Sequence, residues 1–355
     1  MDDTKKNEVV DLAMPSDKKI VSVDCGTMNL VAAFKEGGNV VTKSLRNMYL
    51  PIDKDQISMA DLSKIEYVQS EDKIFIISED AYRFANIFAK PVKRPMAMGL
   101  ISPDEIDSID ILTLMIKQLI GKTFNGFCMY GVPAPSIDST NDITYHKEVF
   151  RRIFSELGYI ARPYNEAAAI IYSQCQNDNF TGMSFSWGAG QTNVSLCFKS
   201  NPVLSFSVKK GGDWIDESAA RSLGTVPNRI TSIKEKNTDL SNFKIGDRRE
   251  SRIREAISYY YKDLINYVLD NVKKKIITDL ANMDLPESIP IIVSGGTSLA
   301  KGFTELFTDI VNEYSKEFPF QIKEIRKASD ALTCVAEGLL IKAYAEIKSE
   351  EKNDR

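Results

Sequence analysis

A strand, a glycine turn and a second strand occur twice in this 355-residue chain, once in each half, and each copy leads into more sheet and then helices. The first copy reads Lys19-Ile20-Val21-Ser22-Val23, turns at Asp24-Cys25-Gly26-Thr27 and returns through residues 30–34, and residues 40–42 complete a meander. The second reads Met183-Ser184-Phe185-Ser186, turns at Gly188-Ala189-Gly190-Gln191-Thr192 and returns through residues 194–198, with 203–208 as its third strand. Alternating apolar residues and Gly-rich breaks are the signals behind these assignments. A polar, less regular region runs to about residue 95, followed by helices over 106–120 and 142–157 with a strand at 126–131 between them. In the second half the longest helix shows at Ile253, Ile257, Tyr261, Leu264, Val268, Val272, Ile276 and Leu280, every three or four residues. A strand at 290–293 and a helix over 331–347 close the chain. The spacing is not a solenoid period. It implies an old duplication that turns two glycine loops toward one cleft, and the length calls for two cores.

Composition removes several alternatives. A net charge of −4 gives no electrostatic reason to expect nucleic acid. Five cysteines (Cys25, Cys128, Cys175, Cys197, Cys334) sit in apolar stretches with no CxxC pair, which predicts buried thiols in a reducing compartment. His146 is the single histidine, so a multi-histidine metal site is impossible; following Thr144 and Tyr145, it is expected at the surface or in a cap. No apolar run reaches the roughly 18–20 residues of a membrane helix. Residues 1–17 read as a polar tail, and Lys273-Lys274-Lys275 as a solvated helix face.

The turns carry the chemistry. In Asp24-Cys25-Gly26-Thr27-Met28-Asn29, Gly26 lets the backbone approach a bulky anion with its N–H groups exposed, and Thr27 and Asn29 add side-chain donors. Asp24 can hold a hydrated cation, because magnesium keeps most of its waters and needs few carboxylates. Gly188 to Thr192 repeats this design. Gly211-Gly212-Asp213 precedes a helix whose N–H groups and dipole favour a phosphate. Ser294-Gly295-Gly296-Thr297 joins a buried strand to a helix and can lie against a purine. Each turn alone is an ordinary loop, and a P-loop string is absent; four in this order are hard to explain as loops only.

With these residues in view, the chain resembles the actin-like ATPases, and within them the bacterial MreB and MamK branch. DCGTMN is similar to that branch's first phosphate motif, GAGQTNVSL to its second and IIVSGGTSLAKG to its adenosine motif. RPMAMGLIS, GVPA, NEAAAIIY, GGDWIDE, SIKEK and ALTCVAEG are collinear supports. The resemblance implies an α/β, ribonuclease H-like, duplicated two-domain fold with an interdomain nucleotide cleft. Domain I would span 18–165 plus 326–349, with a subdomain about 38–92, and domain II 166–325, with a subdomain about 213–259. It implies ATP and Mg2+ as cofactors, Asp24 holding the cation through water and Glu166 orienting the attacking water. Gly26, Thr27, Met28 and Asn29 would face Gly188, Ala189, Gly190, Gln191 and Thr192 across the phosphates, with Gly211, Gly212 and Asp213 beside them. Lys234 and Glu235 would contact ribose and base, and Gly295, Gly296 and Thr297 would wall the purine, mostly with backbone, which leaves adenine and guanine open.

One position departs from that family. Its second phosphate motif usually begins with aspartate, and here Ser186 stands there, with Asn193 at another often acidic position; residues 180–199 hold no carboxylate. Loss of one well-placed electrostatic group costs on the order of 10²–10³ in phosphoryl-transfer rate, so binding with slow hydrolysis is expected. The expected protein is a cytoplasmic, filament-forming ATPase whose partners are copies of itself and protein adaptors. Alternatives are a non-polymerising, catalytically weak ATP-binding scaffold or an Hsp70-like ATPase domain, the latter without its second substrate-binding half; a sugar kinase fits least. The acidic-polar N-terminus argues against membrane contact.

Overall fold

A computed structural model describes residues 18–57, 62–69, 73–88, 90–102, 107–140, 143–241, 249–280 and 283–353; the polar tail expected at 1–17 lies outside the described residues. Strands β1 (Lys19–Cys25), β2 (Asn29–Glu36) and β3 (Asn39–Arg46) form the first meander. The region read as irregular contains β4 (Tyr49–Asp53), β5 (Tyr67–Gln69), β6 (Lys73–Ile77) and helix α1 (Ser78–Phe88), a small sheet with its own core around Leu50, Ile52, Ile74 and Ile76. A hairpin of β7 (Met96–Ala97) and β8 (Leu100–Ile101) leads to α2 (Ser108–Ile120), β9 (Gly126–Val132), α3 (Thr144–Glu156), β10 (Tyr159–Asn165) and α4 (Glu166–Gln174). The second half runs β11 (Gly182–Trp187), β12 (Thr192–Phe198), β13 (Asn201–Val208), α5 (Gly212–Leu223), α6 (Pro227–Asn237), α7 (Arg249–Asp279), β14 (Ser288–Ser294), α8 (Phe303–Tyr314), β15 (Gln321–Lys327) and α9 (Cys334–Asn353).

The two large sheets have one topology. The first is ordered β3-β2-β1-β9-β10 and the second β13-β12-β11-β14-β15, each an antiparallel meander extended by two parallel strands. Period-two alternation sorts their side chains. Val21, Val23 and Cys25 point into a core with α2 and α3, while Met183, Phe185 and Trp187 point into one with α5, α7 and α8. The opposite faces look at each other across α4 and α9, which share the core of Ile20, Ala169, Ile171, Ile292 and Leu339. The two helices cross so closely that a Cβ at Gly338 would fall 1.8 Å from the Ala169 carbonyl oxygen. Full burial of Leu339 or Ile171 stabilises by about 1.5–3 kcal/mol each.

The internal repeat extends to single hydrogen bonds. Ser22 Oγ donates to the carbonyl of Ala336 on α9 (2.6 Å) and approaches that of Ala33 on β2 (3.3 Å). Ser184 Oγ donates to Ala167 on α4 (2.6 Å) and approaches Ser195 on β12 (3.3 Å). Residues 22, 24 and 26 thus correspond to 184, 186 and 188 at a constant offset of 162. All five cysteines are buried and unpaired, as expected. His146 is not at the surface: it is 2% exposed, edge-on to Phe150. It shares the inward stripe of α3 with Val149, Phe150 and Ile153, a 3–4 spacing that overrides its polarity.

Candidate functional site

Between the inner faces lies a cavity of about 790 Å³, within the range of ligand pockets. Asp24 at the end of β1 and Ser186 near the end of β11 occupy repeat-equivalent places in its wall. The turns that follow are built alike. A Cβ on Gly26 would sit 2.7 Å from the Asn29 carbonyl oxygen, and one on Gly188 would sit 2.8 Å from that of Gln191. The chain folds back on itself so tightly that only bare backbone fits. Gly190 of the second turn meets the first: its Cβ would lie 2.7 Å from Thr27 Oγ1 and 2.7 Å from the Gly99 nitrogen. The tip of the β7–β8 hairpin is wedged here, Gly99 N–H donating to Thr27 Oγ1 at 3.0 Å.

Glu166 is the first residue of α4, capped by Asn165, whose Oδ1 accepts from Ala168 N–H at 2.8 Å. Its carboxylate accepts from Asn193 Nδ2, and Asn193 Oδ1 accepts from Ala134 N–H (3.0 Å). Asn193 therefore serves as donor to a carboxylate, which an acid at this position could not do when ionised. Burial lifts Asp24 to about 7; burial together with the Asp24 charge lifts Glu166 to about 8, against the pull of Asn193, Lys209 and Gln191.

Of the residues read from the sequence, Gly26, Thr27, Met28, Asn29, Gly188, Ala189, Gly190 and Gln191 line the cavity. So do Gly212, Asp213, Lys234, Glu235, Gly295, Gly296 and Thr297. Thr192 and Gly211 do not. Thr192 is buried in β12 with its hydroxyl on the Lys210 carbonyl (2.9 Å), and Gly211 packs under the second turn, where a Cβ would strike the Ala189 oxygen at 2.5 Å. The start of α5 also differs from the anion site expected of it. Its N–H groups at Gly212 and Asp213 donate to the carbonyls of Gly188 (3.0 Å) and Ala189 (2.8 Å), so they buttress the turn. Gly211 is the N-cap, and Asp213 pairs with Arg94 at 2.9 Å.

At the far end, Lys234 Nζ bonds the Gly212 carbonyl and Asp216 Oδ2, both at 2.8 Å, and Thr231 also donates to Asp216 (2.8 Å). Burial raises Asp216 to about 6, opposed by Lys234. Thr297 Oγ1 donates to the Gly188 carbonyl (2.8 Å) and the Thr297 carbonyl accepts from Tyr261 OH (3.2 Å), tying the expected purine wall to the second turn. Sequence reasoning missed Asp216, Arg46 and Asn47. Asn47 is fully buried; its Nδ2 donates to the Gly26 carbonyl (2.9 Å) and its N–H to that of Met28 (2.8 Å), which fixes the first turn.

The residues fit a nucleotide with a hydrated divalent cation. Carboxylates outnumber cationic side chains six to four among the described lining, so a polyphosphate entering it needs a companion positive charge. Asp24 and Glu166 are half-buried in the cavity wall with raised affinity for protons, a state that a cation relieves. No group of three or more His, Cys, Asp or Glu side chains placed to hold a metal ion exists among the described residues.

Paired five-stranded sheets of one topology around a central cleft define the actin-like class of proteins. The structure of MreB5 of Spiroplasma citri bound to AMPPNP superposes with a TM-score of 0.68 at 16% identity, over 96% of this chain and 100% of that one. Its ADP-bound form gives 0.63 at 17%, over 94% and 99%. The MamK double helical filament gives 0.65 at 14%, over 92% and 99%. Within this class the chain belongs to the Volactin family, whose sequence model matches residues 20–343. No curated protein matches it in sequence.

Proposed function

We propose that this chain binds ATP with Mg2+ in the cleft, assembles into filaments in the cytoplasm and hydrolyses the nucleotide slowly. The observation that carries the reading is the convergence of two repeat-related glycine turns, Asp24 and Glu166 on one cavity. It is supported by the AMPPNP and ADP held in the MreB5 structures and by the filament of MamK, all of the same fold.

On this reading Asp24 holds the cation through water, and Thr27, Asn29 and the two turns surround the phosphates. The cation supplies charge neutralisation at the phosphate oxygens. Glu166, oriented by Asn193, positions a water and accepts its proton. Lys234 and Glu235 take the ribose and base, and Gly295, Gly296 and Thr297 the purine. Residues 18–165 plus 326–349 and residues 166–325 are the two domains that close on it. Copies of the chain are its principal partners, with protein adaptors; no helix among the described residues is long and apolar enough to cross a membrane.

Ser186 favours a second reading, a nucleotide-binding scaffold with residual catalysis, because only one of the two repeat-equivalent positions carries a carboxylate. Sedimentation and negative-stain microscopy with ATP, ADP and no nucleotide separate them. Filaments with ATP are expected, and a strictly monomeric ATP binder would leave the scaffold standing. Turnover at an ordinary rate for actin-like proteins, unchanged in Ser186→Ala, would refute slow hydrolysis through Ser186.

A further inference from the structure

We infer that Arg46 is a positioning residue that ties closure of the cleft mouth to the first glycine turn and sets how fast nucleotide leaves. The inference rests on the nucleotide reading above. Arg46 ends β3 in the first half, and its guanidinium lies in the cavity wall. Nε donates to Glu79 at 2.6 Å, in the first turn of α1, while Nη1 and Nη2 reach both oxygens of Glu235, on α6 of the second half, at 3.2–3.3 Å. Glu235 is therefore not free to adopt any rotamer toward the cavity; a planar, two-pronged donor from the other half holds it.

Three contacts fix the base of this arm. The Arg46 N–H donates to Ser78 Oγ (3.1 Å), beside the α1 turn that carries Glu79. Arg46 is the ladder partner of Asn29, the last residue of the first glycine turn. Its neighbour Asn47 holds the Gly26 and Met28 carbonyls of that turn. A shift in the turn thus reaches Arg46 through a rigid ladder position and not through a flexible loop. Arg94–Asp213 is a second cross-cleft pair, so loss of Arg46 alone leaves the halves joined.

Partial exposure sets the scale. The Arg46 side chain is 25% exposed and that of Glu235 44%, so the network is worth little as stability and shows itself in a rate. Release of radiolabelled ADP from the full chain, chased with unlabelled ATP, measures it. Arg46→Ala is expected to speed release about 3- to 10-fold, with Arg46→Lys in between because an ammonium cannot engage both carboxylate oxygens in a plane. The Arg46→Ala/Glu235→Ala double variant should release no faster than Glu235→Ala alone, since the residues act as one unit. Raising salt from low to about 0.5 M should speed the parent more than Arg46→Ala, which keeps the Arg94–Asp213 pair across the cleft. Additive effects, or a parent rate in Arg46→Ala while it binds ADP and melts normally, would overturn the inference. A parent chain that binds no ADP or ATP overturns the nucleotide reading itself, which is a different result.

Discussion

The two glycine turns are the same construction with different chemistry. Ser22 and Ser184 make corresponding pairs of hydrogen bonds, one to a central helix and one to the neighbouring strand, and Gly26 and Gly188 each meet the carbonyl three residues on. Between them one copy carries Asp24 and the other Ser186. The scaffold has kept its two-fold correspondence, because sheet register and helix contact depend on small residues at fixed places. The charge has not been kept. With Asp24 and Glu166 already sharing one cavity wall and both driven toward the protonated state by desolvation, a third carboxylate at 186 would be harder still to ionise without a cation. The asymmetry therefore favours a cavity that is less strained when empty and less able to organise a cation when filled.

The largest change should come from making the turns chemically identical the wrong way. Asp24→Ser copies the second turn onto the first and removes the remaining strand-end carboxylate, with turnover expected to fall about 10²–10³-fold in a phosphate-release assay. Next come the twin substitutions Gly26→Ala and Gly188→Ala. Each places a Cβ within 2.7 or 2.8 Å of a backbone oxygen that cannot swing away, and each should weaken ATP binding about tenfold or more by calorimetry. Equal losses support equivalent turns, whereas a loss at Gly26 alone would restrict the phosphates to the first turn. Ser186→Asp restores the missing charge and should raise magnesium-dependent turnover about tenfold; an unchanged rate would show that position 186 is not where the reaction is limited.

Acidity provides a gentler probe. In the unfolded chain Asp24 and Glu166 ionise near the ordinary carboxylate value of about 4. Folded, they keep protons to about 7 and about 8. Between these limits the folded state binds more protons, so their contribution is most favourable below about pH 4 and is lost as pH rises through 7 and 8. The ligand-free melting temperature should carry a falling component from pH 5 to 8.5. Glu166→Gln should reduce it to the Asp24 share, and Mg-ATP should suppress it. A slope unaltered in Glu166→Gln would place the titration elsewhere.

How much of this was readable beforehand follows from distance along the chain. The glycine turns and both meanders were legible, since alternation and Gly breaks are local signals and the repeat doubles them. The small sheet of β4, β5 and β6 was not: short strands in a polar stretch give too few alternations. The role of Asn193 was hidden because it depends on Glu166, which lies 27 positions away and on another element. Arg46–Glu235 and Arg94–Asp213 span 189 and 119 positions, and no pattern in one sequence marks such partners. His146 misled for the opposite reason: its residue type outweighed a helical spacing that was present.

The smallest effect makes the sharpest comparison. Ser22→Ala and Ser184→Ala each remove one buried hydroxyl whose donor reaches a helix carbonyl at 2.6 Å, one on α9 and one on α4. A buried hydrogen bond of this kind contributes about 1 kcal/mol net. Both serines are fully buried, both stand on the central strand of their sheet, and both helices lie in the shared inner core. Their costs in denaturant unfolding should therefore agree within about 0.5 kcal/mol, the error at which independent sites usually add. If Ser22→Ala cost clearly more, the carbonyl at Ala336 would have to matter more than that at Ala167. The two-fold correspondence would then describe the backbone alone, because α9 joins the first sheet from the far end of the chain while α4 follows directly from β10. Equal costs would mean that the repeat still divides the load between its copies, and that residues 24 and 186 differ by selection on the cavity and not by drift of the frame around it.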